Sequence, residues 1–192
     1  MHGHQQPHPV KTSPITDGST HFGSVSKINH WITAAIFLGA LGLGIFIENS
    51  ELPREAVSPY MQWHKAFGVS VLIFGLWRVG WRVANGFPKP VEQMPAWQDR
   101  TAKVVHVGLL TAILAMPISG ILMSIAGGRD LSIWGLTLLP SLGKIEWLDT
   151  VAKAVHETAP PVILLMLALH IFGALKHHFI DRDTTLRRMT AG

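Results

Sequence analysis

Eleven histidines and no cysteine among 192 residues place most of the chain's metal-binding capacity on imidazole. Imidazole binds iron, copper and zinc. The missing thiol excludes disulfides, cysteine-held iron–sulfur clusters and covalent c-type haem. Spacing narrows the chemistry further. His156 and His170 lie 14 positions apart. On a continuous helix this falls about 40° short of four turns, so the two share a face and stand ~21 Å apart along the axis. That length has room for two haems at two depths, each needing a second imidazole from a neighbouring helix. His64 is the natural partner of His156, and either His30 or His106 is the natural partner of His170. A lone histidine in an apolar helix more often packs or hydrogen-bonds inside a bundle, but two depth-matched pairs favour haem. Other metal sites need a tighter cluster with carboxylates or thiolates.

These histidines need elements to hold them. Charged residues are only 15% of the chain, hydrophobic residues 48%, and mean hydropathy is +0.30, the balance of a membrane protein. Four apolar spans are predicted at about 30–48, 62–83, 104–126 and 156–177, against the ~20 residues that a helix needs to cross a bilayer. Alternating strands of a membrane barrel are absent. The expected fold is therefore all-α, an integral membrane four-helix bundle over residues 23–192. Residues 1–22, polar and bearing His2, His4 and His8, read as a disordered cytoplasmic tail without the pattern of a cleaved signal. Of the 16 Lys and Arg, only Arg54, Lys65, Arg129, Lys144 and Lys153 fall on the side opposite the termini. By the positive-inside rule both termini are cytoplasmic, and the net charge of +4 reflects this asymmetry rather than nucleic acid. The long connection 127–155 is expected to form one or two interfacial helices.

Other residues have both an active and an ordinary reading. Arg78 and Arg82, four apart, share a helix face; they suit the propionates of an inner haem and equally suit positive-inside anchoring. Gly68, Gly75 and Gly80 could admit a flat macrocycle or simply let helices approach. His177 and His178 stand where a lipid-soluble quinone would reach the inner haem, or are interfacial neighbours of Lys176. The outer cations could steer a small anion such as superoxide, though Glu and Asp of the same loops offset them. The apolar segments hold no Asp or Glu, which disfavours a proton-coupled transporter. A haem-free small transporter or scaffold is the remote competitor.

Several pieces, in this order, resemble the bacterial cytochrome b561 family. They are Ile28-Asn29-His30-Trp31, Trp63-His64, Arg78 and Arg82 followed by Pro88 and Pro90, and Trp134-Gly135-Leu136-Thr137. Val155-His156-Glu157, Leu169-His170, Lys176-His177-His178 and the closing run Asp183 to Met189 complete the set. The resemblance covers roughly residues 25–189. It implies a four-helix bundle of the bacterial inner membrane with two non-covalent haem b groups and transmembrane electron transfer. Carried onto this sequence, it pairs His30 with His170 on the inner side and His64 with His156 on the outer side, and it makes His177 a quinone contact. It also implies a link between the quinone pool, possible ubiquinone included, and an outer redox partner. That partner would be a periplasmic protein, superoxide, or the dehydrogenase or hydrogenase that such a cytochrome anchors. The resemblance leaves Pro160-Pro161, close after His156, as a departure that would kink the fourth span or start it anew.

Overall fold

Apolar runs bounded by proline and glycine become long helices in the structure, a computed structural model that describes residues 14–18, 20–86 and 94–190. Helices α1 (Ser24–Glu48), α2 (Arg54–Asn85) and α3 (Ala96–Ile125) have 25, 32 and 30 residues. Helices α4 (Glu146–Thr158) and α5 (Pro160–Phe179) are separated only by Ala159, whose backbone is itself helical, so together they make a fourth pass of 34 residues. At about 1.5 Å per residue each pass is ~37 Å or longer, enough for the ~30 Å hydrocarbon layer. Ile73, Leu165 and Phe172 remain 63%, 61% and 68% exposed, an apolar exterior suited to lipid. The chain is an all-α membrane four-helix bundle.

The helices outrun the predicted spans because hydropathy marks only their lipid-immersed part. Helix starts are set instead by Pro53 and Pro95, each with extended backbone just before α2 and α3. At Pro160 and Pro161 the fourth pass loses two helical donors, yet Ala159 between the two helices stays in the αR region. His156 thus sits in the last turn of α4 and Pro160 in the first of α5. Pro88 and Pro90, and His2, His4 and His8, lie outside the described residues.

Helix α1 packs on α2, α2 on α3, and α3 on both α4 and α5. The packed centre is Phe37, Ala40 and Leu41 of α1, Val71 of α2, Ala112 and Ile113 of α3 and Ile163 of α5. Pro117 removes the N–H that would bond the Ile113 carbonyl. Gly75 approaches that carbonyl so closely that a Cβ would stand 3.1 Å from it; this glycine serves helix approach.

Connection 127–155 departs from the helical expectation over half its length. Residues 146–155 are helical, but β1 (Leu131–Ile133) and β2 (Leu136–Leu139) form an antiparallel hairpin. Its turn is Trp134-Gly135, with φ of 47° and 83°. A two-residue turn of this kind needs positive φ at both positions, and glycine supplies one of them without strain. The hairpin clamps the start of the second span. The Trp134 N–H donates to Gln62 Oε1 at 3.0 Å, Lys65 Nζ donates to Ser132 O at 3.4 Å, and the Trp134 and Trp63 rings meet at 5.0 Å.

At the opposite end, which carries Thr190, residues 14–18 and 20–22 of the expected tail are docked on the start of α1. The Pro14 and Ile15 carbonyls accept the Ser24 and Val25 N–H groups, satisfying donors that every helix start leaves unpaired. Asp17 accepts from the Gly23 N–H and Ser26 Oγ, both at 2.7 Å, from Trp81 Nε1 at 3.2 Å, and from Arg82. Burial opposes ionisation of Asp17, but the bonds from Ser26, Gly23 and Arg82 outweigh it and hold its pKa below the usual value.

Candidate functional site

The histidines of the long helices form two groups, one on each side of the packed centre. Towards the hairpin end, His64 of α2 faces His156 of α4 with ring centroids 6.0 Å apart. Towards the terminal end, His30 of α1 faces His170 of α5 at 6.2 Å. An iron with two axial imidazoles needs about 2.0 Å for each metal–nitrogen bond and about 1.1 Å from each nitrogen to its ring centre, so the centroids should stand ~6.2 Å apart. Both pairs match this spacing. His106 of α3 stands 5.4 Å from His170, short for an iron between them.

Near the hairpin end the backbone also selects a tautomer. His64 Nδ1 lies 2.9 Å from Ala40 O, and His156 Nδ1 lies 3.0 Å from Met116 O and 3.1 Å from Ser119 Oγ. A carbonyl can only accept, so each Nδ1 carries the hydrogen and each Nε2 keeps its lone pair. This is how ligating histidines are usually oriented. Glycines give both rings their space. A Cβ at Gly44 would stand 3.1 Å from His64 Cε1, and one at Gly120 would stand 2.9 Å from His156 Cε1. Gly68, one turn from His64 on the inward stripe, has no non-local protein atom within 4 Å of where its Cβ would be. That is a cradle for a flat group. Gly80 also meets nothing but is exposed, so the three glycines of α2 have different surroundings.

The two arginines also part company. Arg78 stands near His30, His106 and His170, and its Nη1 lies 3.5 Å from Asn29 Oδ1. One turn on, Arg82 is 7% exposed and engaged by Asp17, Ser26 and, at 2.9 Å, the Gly86 carbonyl. Its guanidinium also lies over the Phe22 ring at 5.5 Å. The structure therefore places Arg78 beside the histidines and Arg82 in the N-terminal clasp.

His177 lies at the end of α5, away from both pairs. Its Nδ1 is 2.6 Å from Asp183 and 3.3 Å from Asp181. Donor atoms of these three residues lie within 4.8 Å of one another, but Lys176 already holds both Asp181 oxygens at 2.9 and 2.7 Å. The sequence gives no sign of Asp17 or of the carbonyl partners of His64 and His156, and shows Asp183 only as the start of the closing run. A carbonyl leaves no mark on residue type, and both aspartates act across turns.

Facing imidazoles at two depths of an apolar four-helix bundle offer nitrogen donors of the kind that bind transition metals and haem iron. The chain belongs to the prokaryotic cytochrome b561 family, which it matches over residues 21–192. It is 30% identical over 176 residues to cytochrome b561 homolog 2 of Escherichia coli K12, covering 91% of this chain and 94% of that one. It is 32% identical over 167 residues to cytochrome b561 homolog 1 of the same organism, covering 83% and 91%. The probable superoxide oxidase CybB of Yersinia pestis is 25% identical over 165 residues, covering 83% and 90%. Family and fold together make this a haem b-binding, multi-pass electron-transfer protein of the bacterial inner membrane.

Proposed function

We propose that this chain carries electrons between the quinone pool and a periplasmic redox partner through two bis-histidine haem b groups, with both termini cytoplasmic. The observation that carries the reading is the spacing of the two ring pairs, 6.2 and 6.0 Å, each the width of an iron between imidazoles. His30 and His170 would hold the inner haem, and His64 and His156 the outer. Bound haem supplies one-electron iron chemistry; the chain supplies binding, orientation and charge. Arg78 suits an inner propionate by charge-assisted hydrogen bonding, and His177 suits a quinone carbonyl at the cytoplasmic surface. The apolar helix surfaces take membrane lipid.

The test is a haem count with visible and electron-spin spectra on single variants. His64→Ala and His156→Ala should each remove the same haem, and His30→Ala and His170→Ala the other, leaving one low-spin haem per chain. Retention of both haems in His30→Ala, with loss in His106→Ala, would overturn the inner pairing.

The Yersinia pestis relative favours one particular outer donor. Its name is probable superoxide oxidase, and an enzyme of that kind here would oxidise superoxide to oxygen at the outer side and reduce ubiquinone at the inner. Superoxide-driven ubiquinone reduction by the purified chain, with no partner present, tests it; activity only with a periplasmic dehydrogenase would mark an anchor subunit instead.

A further inference from the structure

We propose that Asp183 is a positioning residue that keeps a proton on Nδ1 of His177, so that this ring exchanges protons with a bound quinone only through Nε2. The inference rests on the quinone reading above and extends it to a residue outside the contact.

The local chain geometry builds the pair. Helix α5 ends at Phe179, and Arg182 adopts a left-handed φ of 56°. The turn brings the Asp183 N–H back onto the His177 carbonyl at 3.0 Å. The Asp183 carboxylate then meets the His177 ring, with Oδ2 2.6 Å from Nδ1, while Oδ1 accepts the Thr185 N–H at 2.7 Å. The Asp183 side chain is 4% exposed and that of His177 is 20% exposed. Burial raises the Asp183 pKa, but the Thr185 N–H, the Thr185 hydroxyl and His177 outweigh it, so the net shift is downward. An ionised carboxylate only accepts, so Nδ1 donates whether the ring is neutral or charged. The other charged groups about this turn are Lys176, Asp181, Arg182, which is exposed, and Arg188. Lys176 is committed to Asp181, and Arg188 is coupled to Asp183.

The consequence is chemical. A neutral His177 would offer only the Nε2 lone pair, which accepts from a quinol hydroxyl. A charged His177 would offer Nε2–H, which donates to a quinone carbonyl. The charge on the ring would thus follow the redox state of the ligand. Reduction of one quinone to its quinol would need two electrons, which the reduced haems would supply when bound, and two protons from the cytoplasmic side. His177 passes one proton from Nε2 to the carbonyl it faces and regains one from water; the other carbonyl takes its proton from the aqueous phase.

The experiment uses the full-length holoprotein in lipid nanodiscs, reduced anaerobically and mixed with ubiquinone-1, with haem oxidation followed by absorbance. Asp183→Asn keeps the size, but its amide can donate as well as accept, and the tautomer is no longer imposed. Oxidation should slow by about tenfold, with haem content and spectra unchanged. Asp183→Glu, which keeps the charge, should retain most of the wild-type rate. On a His177→Gln background, Asp183→Asn should change the rate by less than about twofold. A wild-type rate in Asp183→Asn would overturn the proposal. So would an undiminished loss on the His177→Gln background, which would make Asp183 merely structural. Wild-type haems that ubiquinone-1 does not oxidise would overturn the quinone reading itself, and the proposal with it.

Discussion

Gly120→Ala is a one-carbon change whose effect can be worked from the His156 pocket. The added Cβ would stand 2.9 Å from His156 Cε1 and 3.3 Å from its Nδ1. Carbon atoms rest at about 3.5 Å or more, so the ring must move by roughly 0.6 Å. It cannot move freely, because Nδ1 is bonded to Met116 O and Ser119 Oγ. The displacement reaches Nε2, where metal–ligand distances tolerate only about 0.2 Å. Disturbing the groups that orient a ligating histidine costs about 10–100-fold in affinity, or ~1.4–2.8 kcal/mol. The helix itself should gain, since alanine is favoured over glycine in a helix interior by about 0.5–1 kcal/mol. The two effects have opposite signs, which makes the result diagnostic. The variant should keep its helical content and thermal midpoint and keep the inner haem, while the outer haem is lost or weakly held on purification. Pyridine-haemochrome counts per chain and low-spin absorbance read this directly. Gly44→Ala, at 3.1 Å from His64 Cε1, should act in the same direction and more mildly. Two haems per chain with unaltered spectra in Gly120→Ala would refute the assignment of His156 as a ligand.

Two further outcomes follow from the same geometry. Gly68→Ala adds a methyl where no non-local protein atom lies within 4 Å; if the macrocycle occupies that cradle, outer-haem affinity falls by about tenfold while the haem-free protein is unaffected, as haem titration of both forms would show. Asp17→Asn breaks a pair whose side chains are 4% and 6% exposed, at a cost of about 3–5 kcal/mol, measured by denaturant or thermal unfolding in detergent. The Asp17 pKa is lowered in the fold from 3.8, so its stabilisation is present above the unfolded value and lost as pH falls through the lower folded one. The gap between wild type and variant should therefore be constant near neutrality and close only in strong acid.

How far the residues alone disclose this arrangement depends on the range of each interaction. The spans were legible because lipid exposure makes a run such as Trp31 to Ile47 apolar on all sides, and the 14-residue step from His156 to His170 reads directly as two depths. Helix ends were less legible, since α2 begins at Arg54, in a polar stretch that hydropathy does not separate from a loop. The hairpin was missed although Trp134-Gly135 sits between Ile133 and Leu136, because an apolar run of that length reads equally well as helix. Arg82 was grouped with Arg78 on helical spacing. Its partner Asp17 lies 65 positions away in a segment that reads as polar tail, and no periodicity reports a contact of that range.

The packing order gives the paired histidines a further role. Helices α1, α2, α3 and α5 join in sequence, each on the next, but α1 and α5 do not pack extensively on one another. His30 and His170 belong to those two helices. An iron held between them would close the ring of helices at the end near Thr190, and one between His64 and His156 would join α2 to α4 at the other. Where apolar contact is thin, metal coordination would supply the missing link, as it does when ligand binding contributes folding energy. The centre, Val71 and Ile113 among them, is packed without such help, and it lies between the two histidine levels. An electron crossing this bundle between two such cofactors would therefore pass through a centre that protein packing holds fixed.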